Sequence, residues 1–449
     1  MAYPTYSSYR DSGVAWLGEV PKHWEVIKNK FIFNFSKGLT ITKENLSDEG
    51  VPCVNYGEIH SHYGFEVNPK QHALKCVSEK YLSVAKSALL NQGDFIFADT
   101  SEDIKGSGNF TYLNSDIPTF AGYHTIIARP DLNKIIPRFL AYAFESNGHR
   151  NQIRTIVKGV KVFSITQAFL KNTFAWLPPL AEQTAIADYL DTQTAQIDAL
   201  IDKQQNLLAK LAEQRSSVIT QAVTRGLNPN APMKESGVAW LGEVPSHWGV
   251  IQFRRVVESI KDGTHGTHTR ENSGFPFLSA KNVFNDGIRI SDNESCISEE
   301  DFNLITGNGF PRKNDLLITC VGSIGRSCVY PFNKPIAFQR SVAFLRLNSN
   351  GNPKYYKYFV ESDSYQSQLK AHVRLSIQGG VYLGTLIGLL VCIPPLAEQT
   401  AIADYLDEQT AHIDGLSQKV EQAIGRLKEY RTALITQAVT GKIKVITEG

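Results

Sequence analysis

Two histidine pairs, His60-Ser-His62 and His265-Gly-Thr-His268, are the first places to look for a metal. Zinc sites draw three or four ligands from Cys, His and acidic side chains. Neither pair has Cys or His partners at ligand spacing nearby, so no metal site is expected. Asp103-Ile-Lys105 has the D-x-K order of some nucleases, but an acid and a lysine on a polar loop are more often a solvated charge pair. Glu182-Gln183 and Glu398-Gln399 invite a catalytic reading because they repeat. Each sits where a helical pattern begins, and a first-turn glutamate that satisfies exposed N–H groups and the helix dipole explains it better. There is no G-x-x-x-x-G-K-[ST] phosphate loop, Gly441-Lys442 standing alone. The pairs Pro178-Pro179 and Pro394-Pro395 lack the acid, amide and aromatic neighbours of a DNA methyltransferase motif. No catalytic residue and no cofactor site is expected in this chain.

Recognition chemistry is better represented. Lys261-Asp-Gly-Thr264-His265-Gly-Thr267-His268-Thr-Arg270 is a polar, glycine-punctuated stretch rich in groups that can bond bases or phosphates. Gly322-Ser-Ile-Gly325-Arg326 and Gln339-Arg340 are similar in kind, with Lys105-Gly-Ser-Gly-Asn109 and Tyr123-His124 as counterparts earlier in the chain. The basic run Arg150, Arg154, Lys158, Lys161 recurs in outline as Lys370 and Arg374. The candidate DNA-binding residues are therefore Lys105, Asn109, Tyr123, His124, Arg154, Lys158 and Lys161, then Lys261, Thr264, His265, Thr267, His268, Arg270, Arg326, Gln339, Arg340, Lys370 and Arg374. The overall charge of +2 hides a pattern that suits them. Residues 27–176 carry 17 Lys/Arg against 13 Asp/Glu and residues 251–392 carry 16 against 12, while the segments after each are mildly acidic. A negatively charged partner should meet the two basic blocks.

The elements that position these residues are duplicated. Pro178 to Asp191 recurs without change at Pro394 to Asp407, offset by 216. Ser12 to Trp24 returns as Ser236 to Trp248 with only Lys22 replaced, by Ser246; its two tryptophans predict a hydrophobic lid where each block begins. Within the blocks, Gly50–Val54, Asp94–Phe97 and His124–Ala128 read as short strands. Gly274–Leu278, Asp315–Ile318 and the pair Pro335/Arg346 repeat the same beats, Pro335/Arg346 matching Pro118/Arg129. Offsets falling from 224 to 216 indicate shortened loops on retained strands, and the residues between the beats differ almost everywhere. Like scaffolds with unlike loops suit two modules that read different targets.

Each Pro-Pro pair opens a long helical pattern, Ala181–Thr224 having no Gly or Pro. At ~1.5 Å per residue such a helix is roughly 66 Å long. Leu190, Ile197, Ile201, Leu208, Leu211 and Val218 fall on heptad seam positions, as do Leu406, Ile413, Val420, Ile424, Leu427 and Leu434 in the second copy. The termini of a domain usually lie close together, so the block joining the two helices should bring their linked ends side by side. The expected fold is α+β and pseudo-two-fold: two strand-rich mixed α/β recognition domains, separated by two long helices in an antiparallel coiled coil. The expected segments are 1–176 and 227–392 for the recognition domains and 177–226 and 393–449 for the helices.

The remaining sequence adds bounds. No apolar run approaches the ~18–20 residues of a membrane span, Leu386 to Ile393 being the best and too short. No signal peptide is evident at the N-terminus. Six cysteines without a C-x-x-C pair predict reduced structural thiols in a cytoplasmic protein.

With Pro178–Asp191 and its copy at Pro394–Asp407 placed as the anchors of the chain, it resembles the specificity subunit of a type I restriction–modification system. Leu177-Pro-Pro-Leu-x-Glu-Gln183 and its copy at Ile393–Gln399 carry the likeness. The Trp-Leu-Gly-Glu-x-Pro-x-His-Trp lead-ins at 16–24 and 240–248 and Gly322-Ser-Ile-Gly325 support it. The likeness covers essentially the whole chain; its one departure is that Gly322–Gly325 has no clear twin in the first block. The resemblance implies a non-catalytic subunit whose two target recognition domains each read one half of a bipartite, asymmetric DNA site. It also implies helices that set the spacer and dock two modification (methyltransferase) subunits, with two restriction (translocase and nuclease) subunits completing the complex. S-adenosylmethionine is then expected in the methyltransferase partner, and ATP and Mg in the restriction partner. Two other readings stay open: a self-sufficient nuclease or methyltransferase with an unrecognised site, and a coiled-coil scaffold without a DNA role.

Overall fold

The computed structural model describes residues 4–157, 162–373 and 380–445. It divides into two compact units, Met1–Lys203 with Ala423–Gly449, and Gln204–Gln422. These units cut across the expected helical segments, so each long helix contributes residues to both units.

In the first unit a five-stranded sheet runs in the order Phe33–Lys37, Thr125–Pro130, Phe95–Ala98, Phe110–Leu113, Phe65–Val67. All neighbours are antiparallel except the last pair. A second sheet orders Cys76–Val77, Val51–Val54, Thr119–Ala121 and Leu89–Leu90. The second unit repeats four strands of the first sheet as Val257–Asp262, Val342–Leu347, Leu316–Thr319 and Ser327–Val329, and three of the second as Cys296–Ile297, Phe275–Leu278 and Ala337–Phe338. Phe95–Ala98 and Leu316–Thr319 are buried along their whole length, which is why they read as unbroken apolar runs.

The repeated Asp and Arg beats are ion pairs. Arg129 Nε donates to Asp94 Oδ2 at 3.1 Å, and Arg346 donates to both Asp315 oxygens at 3.1 and 2.8 Å. Burial pushes the Asp94 carboxyl above its usual range, with Asn91 and Arg129 opposing it.

The long helices span Leu180–Arg225 and Leu396–Val439. Each is followed by a glycine with positive φ, Gly226 (74°) and Gly441 (68°), the left-handed conformation that ends a helix. In the first unit Trp176 Nε1 donates to the Val439 carbonyl and Arg431 binds Asp198 at 2.9 Å. In the second, Ile219, Ala222 and Val223 share a core with Ile402, Ala403 and Leu406, and Arg215 binds Asp414 at 3.0 Å. Rising numbers on one helix meet falling numbers on the other, so the helix halves run antiparallel in each unit. Of the seam residues, Leu190, Ile197, Ile201, Leu211, Leu406, Ile413, Val420, Ile424 and Leu434 are buried, and Leu208, Val218 and Leu427 half-buried. Each fully buried Leu or Ile contributes ~1.5–3 kcal/mol.

Two expectations need correction. Only the second tryptophan of each lead-in is a buried lid, Trp24 and Trp248 at 1% exposure against 37% and 45% for Trp16 and Trp240. The repeated glutamates do not turn their carboxylates on their own helix N–H groups. Glu182 accepts from His23 Nε2 (2.8 Å) and Trp24 Nε1 (3.1 Å), and Glu398 from His247 Nε2 (2.7 Å) and Trp248 Nε1 (2.9 Å). An indole N–H and an imidazole offered side by side outcompete the local amides, and they pin each lead-in to its helix. All six cysteines are free and buried, and no described helix is long and apolar enough to cross a membrane.

Candidate nucleic-acid interface

Strand register decides where the candidate residues emerge. Ile126 faces Lys37 and Thr125 faces Ala98, so three segments leave the sheet at one edge: the residues after Lys37, the loop after Ala98 and the loop before Thr125. In the second unit Ala343 faces both Asp262 and Ile318, which brings out the segments after Asp262 and Thr319 and the one before Val342 at the equivalent edge. A glycine makes each crossing possible. A Cβ at Gly38 would lie 2.1 Å from the Gly122 carbonyl oxygen, and one at Gly263 2.1 Å from that of Phe338.

In the first unit this edge carries a cleft of ≈ 640 Å³ whose walls include Tyr56, His60, Ser101, Asp103, Lys105 and Asn109. Lys105 is exposed, and its carbonyl accepts from Arg154 Nη2 at 2.8 Å. Asn109 is held at both ends of its amide: its Nδ2 lies 2.9 Å from His60 Nδ1, and its Oδ1 accepts from Arg150 at 2.7 Å. Tyr123 is half-buried, edge-on to Tyr56 at 5.5 Å. His124 is exposed with φ 54° and lies 3.1 Å from Asp99 Oδ1. Asp103 Oδ1 accepts from the Gly106 amide at 2.6 Å, shaping its own turn. Burial lowers the Arg154 guanidinium pKa, and Arg150 lowers it further. Lys158 and Lys161 lie outside the described residues.

The second unit presents a different surface. Thr264, His265 and His268 line a cleft of ≈ 350 Å³ with Asn308 and Leu304. His265 Nε2 is 2.8 Å from Asp262, His268 Nδ1 is 2.8 Å from Asp301, and Lys261 Nζ donates to the Asn308 carbonyl at 2.7 Å. Thr267 is exposed. The Arg340 amide donates to the Thr264 carbonyl at 3.0 Å, joining two of the loops, and its side chain is exposed. Gln339 is half-buried and bridges to Thr264 through the backbone. Arg270 covers the Phe277 ring at 4.2 Å, and Arg326 stands 5.0 Å from the Phe284 ring. Lys370 is exposed in the last turn of Asp363–His372. Arg374 lies outside the described residues.

One glycine of Gly322–Gly325 has a structural counterpart in the first unit. Gly108 and Gly325 both have positive φ (85° and 84°), and a Cβ on either would press on the adjoining helix, at Ile153 (2.7 Å) and at Gln366 and Leu369 (2.7 and 2.9 Å). Tyr56 and His60 line the first cleft as well, and no local pattern in the sequence marks them for it. Among the described residues no group of three or more His, Cys, Asp or Glu could hold a metal ion.

The glutamine of each repeated Glu-Gln pair is a clamp. Gln183 accepts from the Ile136 amide (2.8 Å) and donates to the Lys134 and Pro178 carbonyls (2.9 Å each). Gln399 does the same with Asn352, Asn350 and Pro394. Both are fully buried and use their whole amide within the fold.

This arrangement, two sheet-edge surfaces on one repeated frame, has a known family. The type I restriction modification DNA specificity domain matches twice, over residues 21–210 and 245–426, and the chain belongs to that family. The type I restriction enzyme EcoKI specificity subunit of Escherichia coli (strain K12) is 23% identical over 95% of this chain and 90% of its own. Two solved structures share the fold at 17% identity, each covering 94% of this chain and 98% of the other. One comes from work on complex assembly and conformational transition of the type I R-M system (TM-score 0.70), the other is the HsdS subunit from Thermoanaerobacter tengcongensis (TM-score 0.50).

Proposed function

We propose that this chain is the DNA-reading specificity subunit of a type I restriction–modification complex. Each unit reads one half of a bipartite, asymmetric target through the loops at its sheet edge. The observation that carries this reading is the pairing of two equivalent sheet edges with unlike side chains: Asn109, His60 and Tyr56 in one, Thr264, His268 and Arg340 in the other. Amides, hydroxyls and guanidinium groups of this kind distinguish base edges, whereas phosphate contacts only position the protein.

The chain itself is non-catalytic and works in the cytoplasm. Two modification subunits dock along the long helices and bring S-adenosylmethionine for adenine methylation. Two restriction subunits bring ATP and Mg. A net charge of only +4 on each block suits a protein that shares the phosphate backbone with its partners. The helices act as the ruler between half-sites. Inserting four residues into each lengthens them by about 6 Å, which changes the spacer between methylated half-sites by up to ~2 bp at ~34–36 Å per turn. Sequencing methylated adenines made with that variant tests the ruler, and an unchanged spacer would sink it. Methyl transfer by the purified chain alone would replace this reading with that of a self-sufficient enzyme.

A further inference from the structure

In the first unit the side chain of Tyr6 fills a pocket beside the start of the first long helix. Its hydroxyl donates to Glu182 Oε1 at 2.6 Å, and its ring lies 5.6 Å from His23 and 6.0 Å from Trp24. The segment that carries it is fixed on both sides: the Lys444 amide donates to the Pro4 carbonyl at 2.7 Å and the Tyr9 hydroxyl to the Gly441 carbonyl at 3.0 Å.

The second unit repeats the pocket and leaves out the tyrosine. His247 and Trp248 hold Glu398 as His23 and Trp24 hold Glu182. Strand register is also repeated, Tyr9 opposite Pro21 and Met233 opposite Pro245, so Asn230 stands where Tyr6 does. Asn230 is exposed, and its amide is tied into a turn by Asn228 Oδ1 at 3.0 Å. What remains is a cavity of ≈ 320 Å³ lined by Arg225, Leu227, Pro245, His247, Glu398 and Ile402, among others. The Glu398 side chain is 42% exposed, against 24% for Glu182. Glu182 Oε1 accepts from both Trp24 and Tyr6, whereas Glu398 Oε2 accepts from Trp248 and has room for a second donor.

We propose that this cavity receives a tyrosine side chain from a partner protein, the hydroxyl donating to Glu398 and the ring lying against His247. The identity of the partner rests on the reading above: it is one of the two modification subunits. One ring and one hydrogen bond bind only weakly on their own, so occupancy requires a ring carried by a chain already docked nearby, at high effective concentration. The anchor stretch is identical in both copies, which suits the same kind of partner at each. The two docking faces then differ by one socket, plugged in the first unit and open in the second, and the two modification subunits bind non-equivalently.

A small probe tests the pocket and the assembled complex tests the partner. N-acetyl-3-fluorotyrosine amide at millimolar concentration, followed by fluorine NMR, should find one site on the wild-type chain and none on Asn230→Tyr. Tyr6→Ala should show two sites. The phenylalanine analogue should bind several-fold more weakly. No site on the wild type, or binding untouched by Asn230→Tyr, overturns the pocket. In the complex, native mass spectrometry of Asn230→Tyr should show roughly tenfold weaker retention of one modification subunit. A photoreactive benzoylphenylalanine in place of Leu227 should cross-link to that subunit. Unchanged retention, or a cross-link to a second copy of this chain, overturns the partner. If the wild-type complex bound no specific DNA, the reading of function would fail instead, and the probe result would stand apart from it.

Discussion

Gln183 and Gln399 make the same three hydrogen bonds in the two units, and Tyr142 and Tyr358 reach Asp191 and Asp407 at 2.6 and 2.7 Å in the same way. The loops after Ala98 and Thr319 share little beyond the glycines Gly108 and Gly325. A buried amide or phenol must meet its partner, because leaving it unmet costs about 1–3 kcal/mol. An exposed loop side chain carries no such obligation. The units therefore agree where each block is fixed to the helices and differ where each faces outward. Some interior positions differ as well: His149 in the first unit occupies the place of Tyr365 in the second, each N-terminally placed in a helix capped by Ser146 or Ser362.

The heaviest blow to this likeness falls on the buried ion pairs. Arg346→Met strips the partner from Asp315, whose side chain is 4% exposed, and should cost the second unit ~3–5 kcal/mol in urea unfolding. Arg129→Met should cost the first unit at least as much, since Arg129 also bonds Ser36, Ser87 and Leu89.

Acid should separate the units next. Burial pushes the His149 imidazole down to about 3, and Arg150 adds to the shift. Unfolded, a histidine titrates near ~6.5. Below that pH the unfolded chain takes up a proton that the folded chain refuses. The stability is thus whole above about 6.5 and is lost as pH falls toward 3. Between pH 7 and 4 the first unit should lose roughly 3 kcal/mol through this group. Hydrogen exchange across that range should show it, and His149→Tyr should abolish it.

Two arginines at matching helix positions should then behave unequally. Arg215→Met leaves the buried Glu361, 2% exposed, with Lys357 alone, and should cost ~2–3 kcal/mol. Arg431 pairs with the half-exposed Asp198, and Arg431→Met should cost less than ~1 kcal/mol. Equal losses would show that the seam, and not Glu361, sets the cost. The most specific effect is one on recognition, with stability left alone. Arg340→Ala should relax discrimination by ~1–2 kcal/mol in one half of the target and leave the other half unchanged, read by methylation of a library of sites.

Much of the frame is legible in the sequence because it is local or repeated. The helices announce themselves by seam spacing and flanking glycines, and Phe95–Ala98 and Leu316–Thr319 by apolar runs. The partners of Glu182 and Glu398 are not legible, since His23 and His247 lie far off in sequence. Nor is the equivalence of Gly38 with Gly263. An irregular register between Val257 and Ser259 adds one residue to the second unit's strand and shifts the offset by one within it. Tyr56 and His60 join their cleft only through long-range packing against Tyr123, His124 and Asn109, for which no local pattern exists.

The division of labour between the units is tested most directly by mapping N6-methyladenine in DNA modified by this chain with its modification subunits. Two different half-sites separated by a fixed run of unread bases is the predicted motif. A contiguous motif, or a palindrome with identical halves, would contradict it.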